Sequence, residues 1–184
     1  MKLVALSSFL GQLQHFGFPT PLLDWTLSPY MAAYFAFRLH GQQSSHEERV
    51  RVFAFDADQY TRDFYCDKKS FSVWSMWATI EGCQPFVTTL NPMPKHNPRI
   101  VAQQGRFTVT NTPNMLKVIR SQEQRLSKQY LWYTDIAASE RARAVQELNL
   151  MGINEMTLFP DFEGLCRAVA ERFFVPNARP GPNP

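Results

Sequence analysis

Cysteine is scarce in this 184-residue chain: Cys66, Cys83 and Cys166 are the whole complement. Three is an odd number and no C-x-x-C pair occurs, so neither a disulfide framework nor a cysteine-based zinc site is expected. Histidine is limited to His15, His40, His46 and His96, with no H-x-x-x-H spacing to support a helix-borne metal site. No apolar run approaches the roughly 18 residues of a membrane span; the longest, Tyr30 to Phe37, falls far short. Met1-Lys2-Leu3 opens no signal-peptide pattern, which makes a cytoplasmic location the default and a membrane partner unexpected. The chain has no G-x-S-x-G elbow, no Walker loop and no G-x-G-x-x-G turn. Internal repeats are absent as well.

What is present belongs to a globular protein. With 45% hydrophobic and 19% charged residues, wholesale disorder is excluded. Fifteen Phe, six Tyr and four Trp predict an aromatic core. The net charge is +3, and 13 of the 19 basic residues are arginine. The basic residues gather loosely between Lys117 and Arg143, among them Arg120, Arg125, Lys128 and Arg141, with Glu123, Asp135 and Glu140 diluting them. That stretch is either a solvated face or a surface for phosphate or nucleic acid.

Periodicity and capping signals predict the elements. Leu3, Leu6, Leu10 and Leu13 mark an amphipathic helix over Leu3–Phe16, ended by Gly17 and Pro19. A short buried strand or turn follows at Leu22–Trp25. Ser28-Pro29 is a cap and first helical residue, opening an apolar helix to about Leu39 that is expected to be buried on most faces. A polar loop at His40–Glu48 leads to a strand at Arg49–Asp56, a short helix at Asp58–Tyr65, a helix at Phe71–Ile80 and an extended segment at Pro85–Leu90. Asn97-Pro98 is a second cap signal, starting a helix that Gly105 stops, and Arg106–Thr110 alternates as a strand. Then come a strand at Tyr130–Thr134, a helix at Ala137–Leu150 closed by Gly152, and a strand at Met156–Phe159. Asp161 caps a last helix whose Phe162, Leu165, Cys166, Val169 and Phe173 are expected to face the core. The reading is one α+β domain over residues 1–175, a mixed or antiparallel sheet flanked by helices, with a disordered tail at 176–184.

Three clusters combine polar groups with apolar surroundings. In Gln14–Thr26, Asp24 lies between Leu23 and Trp25 and needs partners, which Thr26, His15 or nearby backbone N–H groups would supply. It either ties a turn to the next helix or walls a polar ligand site. In Asn97–Phe107, Gln103 and Gln104 precede Gly105, and Arg99 is available to a carboxylate such as Asp24 or to a phosphate. The third cluster, Gly152–Leu165, reads as structural, since capping explains Pro160 and Asp161.

These blocks resemble the FRG domain family. Gln14-His15-Phe16-Gly17-Phe18-Pro19-Thr20-Pro21-Leu22-Leu23-Asp24-Trp25-Thr26, then Ser28-Pro29, is similar to the family's Gln-His-x-Gly-Leu-Pro-Thr-Arg-Leu-Leu-Asp-Trp-Thr block. Asn97-Pro98-Arg99 through Gln103-Gln104-Gly105 and Phe107 resembles a later block, and Gly152–Leu165 a closing one. Pro21 stands where the family usually has Arg, and no Phe-Arg-Gly or Tyr-Arg-Gly occurs, so the chain looks like a member lacking its first strand and named Arg. The resemblance implies a bacterial or phage origin and a layout similar to ADP-ribosyltransferase-like folds. It further implies an NAD-using transferase, a toxin or anti-phage effector, with Asp24, Gln103 and Gln104 as catalytic candidates. His15, Thr26 and Arg99 would bind the nucleotide or NAD. The competing expectations are a non-enzymatic module for a protein or nucleic-acid target, and an inactive fragment.

Overall fold

The computed structural model describes residues 9–14, 16–38, 48–64, 85–91 and 97–174. Helix α1 spans residues 9–14 and buries Leu10, with Leu13 packed beside it. Gly17, at a φ of 80°, turns the chain out of the helix as expected. The expected helix at Phe71–Ile80, the loop at 39–47, the proline-rich 92–96, the tail, His15, Cys66 and Cys83 all lie outside the described residues.

Two antiparallel sheets form the frame. Strands β1 (Leu22–Thr26), β4 (Gly105–Thr110) and β3 (Val87–Leu90) lie in the order β1-β4-β3. Asp24 stands opposite Phe107, and Thr26 opposite Gly105. The second sheet pairs β2 (Arg49–Phe55) with β5 (Leu131–Ala137). Arg51 lies opposite Asp135 and donates both Nε–H and Nη2–H to its carboxylate, each at 2.7 Å. Between the strands run α2 (Pro29–Arg38), α3 (Ala57–Asp63), α4 (Pro98–Ala102), α5 (Met115–Leu126), α6 (Arg141–Leu150), α7 (Glu155–Leu158) and α8 (Phe162–Phe174). A 3-10 turn at Ala138–Glu140 leads into α6. The α+β class and the antiparallel sheets are as the sequence predicts.

Side-chain alternation gives the three-stranded sheet two covered faces. Leu22, Leu90, Phe107 and Val109 pack with Leu10 and Ile100 on one. Val87, with Trp25 against it, joins Tyr60, Val118, Ile119, Tyr130 and Leu131 on the other. The aromatic residues concentrate in this second cluster, where Tyr60 and Tyr130 meet edge to face at 5.4 Å. Two further clusters hold α2: Tyr34 with Leu148, Leu158 and Phe159, and Phe37 with Val50 and Ala138.

The capping signals hold. Ser28 Oγ accepts from Met31 N, Asn97 Oδ1 from Ile100 N, and Asp161 Oδ1 from Gly164 N. Five expectations are corrected. Met156–Phe159 is not a strand: α7 occupies it, nucleated by a capping box of Asn154 and Thr157. The Leu22–Trp25 strand buries only Leu22, because β1 edges its sheet. Helix α2 buries only Tyr34 and Phe37. Gly105 does not stop α4; Gln104 takes the left-handed conformation, φ 49°, and Gly105 begins β4. The apolar stripe of α8, Cys166 included, faces solvent. The cause is Gly164: a Cβ there would lie 2.0 Å from Phe159 O, so the helix packs its small-residue side inward.

Candidate functional site

The site is built from the end of α1 and the strand that follows it. The turn at Gly17 brings Gln14 back over β1, where its Nε2 donates to Asp24 Oδ2 at 2.7 Å. Gln14 Oε1 in turn accepts from the Thr20 hydroxyl. Thr20 Oγ1 also accepts from Leu22 N at 3.4 Å, which pins the chain as it enters the strand. The partner of Asp24 is thus Gln14 rather than Thr26. Asp24 is an exposed residue, and its Oδ1 has no hydrogen-bond partner among the described residues. Crowding by neighbouring atoms removes water from the carboxyl and raises its pKa, outweighing the Gln14 bond, which lowers it.

Thr26 and Gln103 hold the frame around that acid. Thr26 Oγ1 donates to Gln103 O at 2.8 Å and accepts from Ser28 N at 3.2 Å. Gln103 Nε2 donates to Leu158 O at 3.0 Å, joining the end of α4 to α7. Gln104 O accepts from Leu27 N at 3.2 Å, while its side chain belongs to an exposed residue. Thr26, Gln103 and Gln104 therefore gather at one end of the β1–β4 ladder, and Asp24 stands at its middle. Asp24 lies two residues, about 7 Å, along the strand from Thr26.

Arg99 does not reach Asp24. Its Nε donates to Asp161, its Nη2 donates to Glu163 at 2.9 Å, and its guanidinium lies 5.1 Å from the Phe159 ring centre. The Asp161 bond, more than the Glu163 bond, raises the Arg99 pKa, and Arg99 in return holds the Glu163 carboxyl below its usual range. On the same ring lies Arg38, 4.7 Å from its centre. Arg38 donates to buried Glu155 at 3.0 and 3.1 Å, and Tyr34 Oη donates to the same carboxylate at 2.8 Å. Sequence reasoning missed Tyr34, Arg38 and Glu155. The one local signal was Glu155 directly after the Asn154 cap; Arg38 lies 117 residues away.

The basic Lys117–Arg143 stretch is occupied by internal contacts. Arg120 pairs with Glu123 at 2.7 Å, Lys128 with Asp63 at 2.8 Å and Arg143 with Glu147 at 2.9 Å. Arg141 Nε donates to Phe37 O, and Arg125 stacks over Phe64. Among the described residues no group of three or more His, Cys, Asp or Glu is placed to hold a metal, and no helix is long and apolar enough to cross a membrane.

Compared with known proteins, the chain matches the FRG domain family model over residues 3–46. That segment holds Gln14, Thr20, Asp24 and Thr26; the blocks containing Arg99, Gln103, Gln104 and Gly152 lie beyond it. No curated protein and no solved structure matches the chain.

Proposed function

From an FRG-domain segment at residues 3–46 that carries an exposed acid in the middle of β1, we propose that this chain binds a nucleotide-class ligand, with NAD the first candidate. The activity proposed is of the ADP-ribosyltransferase-like kind, acting in the cytoplasm as a toxin or anti-phage effector. The observation that carries the reading is Asp24: fixed by Gln14, on an exposed residue whose carboxyl is partly dehydrated, its Oδ1 without a hydrogen-bond partner among the described residues and its pKa raised. A carboxylate accepts from hydroxyls such as those of ribose, and a raised pKa moves it toward the range useful for proton transfer. Gln104, an exposed residue at the Thr26 end of the ladder, offers a neutral amide; it donates and accepts but is no base. Thr26 and Gln103 act as positioning residues, since their polar groups are engaged with the frame.

The fit is to the ribose end of such a ligand. Arg99 already meets two carboxylates, so a pyrophosphate would have to displace Asp161 or Glu163 to reach it. The alternative, a module that binds nucleic acid through Lys117–Arg143, is less favoured because Arg120, Lys128 and Arg143 are neutralised by neighbouring carboxylates.

The test is a thermal melt with and without millimolar NAD, repeated on Asp24→Asn. A ligand at 100 times its dissociation constant adds about 2.7 kcal/mol. Asn at position 24 retains an oxygen to accept from Gln14 and removes only the charge, so the unliganded melt should rise slightly near neutral pH while the NAD response is lost. An intact chain that ignores NAD, or a variant that responds as the intact chain does, sinks the reading. NAD turnover surviving Ala at both Asp24 and Gln104 would do the same to the transferase activity.

A further inference from the structure

Helix α8 carries its apolar residues on the outside. Phe162, Leu165, Cys166, Val169 and Phe173 fall within an arc of about 100° on a helix of 3.6 residues per turn. Phe162 is 80% exposed and Phe173 69%. Leu165 and Val169 are exposed too, and so is Cys166. The inward side is set by Gly164 and half-buried Ala168, and the Gly164–Phe159 contact leaves no room to rotate the stripe under cover.

We propose that this stripe is the contact surface of a weak homodimer, in which α8 packs antiparallel against α8 of a second copy. Three features favour a second copy over another partner. The arc contains no charged residue, so apposing it to itself brings no like charges together. Its pattern is nearly palindromic: Phe162 and Phe173 are equidistant from its centre, as are Cys166 and Val169. A two-fold axis at that centre sets Phe162 against Phe173 of the second copy and Cys166 against its Val169, the self-complementarity an isologous interface requires. Antiparallel packing also opposes the two helix dipoles favourably. The area limits the strength. Two aromatic side chains of about 200 Å² each, exposed to this degree, leave about 300 Å² per copy, and the aliphatic residues add to that. The sum over both copies stays below the roughly 1,200 Å² of stable complexes, which makes this a reversible, concentration-dependent association.

The test is sedimentation velocity on the full chain from about 5 to about 300 µM, the range where micromolar association shows. The mean mass should rise toward twice the chain mass, and Val169→Asp should weaken association at least ten-fold with the melt unchanged. Phe162→Ser, at a more exposed position, gives the same reading should the aspartate disturb folding. The register is tested by Val169→Cys in a Cys66→Ser, Cys83→Ser background under a mild thiol oxidant. The introduced thiol should join Cys166 of the other copy, and adding Cys166→Ser should abolish the covalent dimer. A monomer at every concentration overturns the proposal, whatever else then covers the stripe. A dimer indifferent to both Val169→Asp and Phe162→Ser overturns it equally, and a covalent dimer that survives Cys166→Ser overturns the register.

Discussion

Gln104 stands at a φ of 49°, between the end of α4 and the start of β4, with a glycine directly after it. A left-handed backbone costs an L-residue about 1–2 kcal/mol, and glycine escapes that cost. The helix terminates in the usual way, by a left-handed residue after the cap, yet the residue chosen is not the adjacent Gly105. Register decides this: Gly105 is already opposite Thr26 in the ladder, and Gln104 O is already accepting from Leu27 N. Shifting the turn by one residue would flip every β4 side chain to the wrong face. Gln104→Gly should therefore raise stability by about 0.5–1 kcal/mol, part of the relief being lost to the greater freedom of glycine in the unfolded chain. The measurement is the urea midpoint at unchanged slope. A lower midpoint would mean that the Gln104 side chain contributes more to the fold than its backbone strain removes.

The same contest between local preference and tertiary contact decides the elements. Gly164→Ala should cost about 3 kcal/mol or more, because the added Cβ meets the backbone oxygen of Phe159 and its Cβ rather than a movable side-chain end. The melt should fall accordingly, and a variant as stable as the parent would show that α8 can lift from α7 freely. This contact also explains what the sequence concealed. Amphipathicity correctly predicts that Phe162–Phe174 is a helix but not which side lies inward; a single glycine against Phe159 reverses the expected orientation. Caps were legible because each joins a side chain to a backbone N–H three residues away, as at Ser28, Asn97 and Asp161. The four-residue run Met156–Phe159 was ambiguous by length alone, and Asn154 with Thr157, a capping pair in plain view, was the signal that resolves it. At the candidate site the need of Asp24 for a partner was legible, but the partner was not: Thr26, His15 or backbone N–H groups were expected where Gln14 donates, and the partners of Arg99 lie 62 and 64 residues further on.

Among the described residues, four carboxylates have lowered pKa values; three join elements distant in sequence, and Glu123 joins α5 to the strand that follows it. Asp63 is held down by Lys128, Tyr130 and Gln59, tying α3 to the entrance of β5. Glu123 is pushed up by burial, but the N–H groups of Tyr130 and Leu131, with Arg120, prevail. Arg51 lowers Asp135 across the second sheet, and Arg99 lowers Glu163 between α4 and α8. A carboxylate with a depressed folded pKa contributes stability above its unfolded value, near 4, and that contribution disappears as the pH falls through the folded value. Asp24 has the opposite sign: its folded form binds the proton more tightly, so acidification favours the fold there. With four groups against one among the described residues, the melting temperature should fall from about pH 5 to pH 3. Asp63, Asp135 and Glu163 face solvent-screened partners, so added salt should shrink the fall. Asp24→Asn removes the one opposing term, gaining stability near neutrality and none at pH 3, and should steepen the decline. A melting temperature that is flat or rises on acidification would show that these ion pairs do not hold the elements together. An Asp24→Asn profile parallel to the parent would show that the Asp24 carboxyl titrates as a freely hydrated acid, and would remove the physical ground for placing it at the centre of the site.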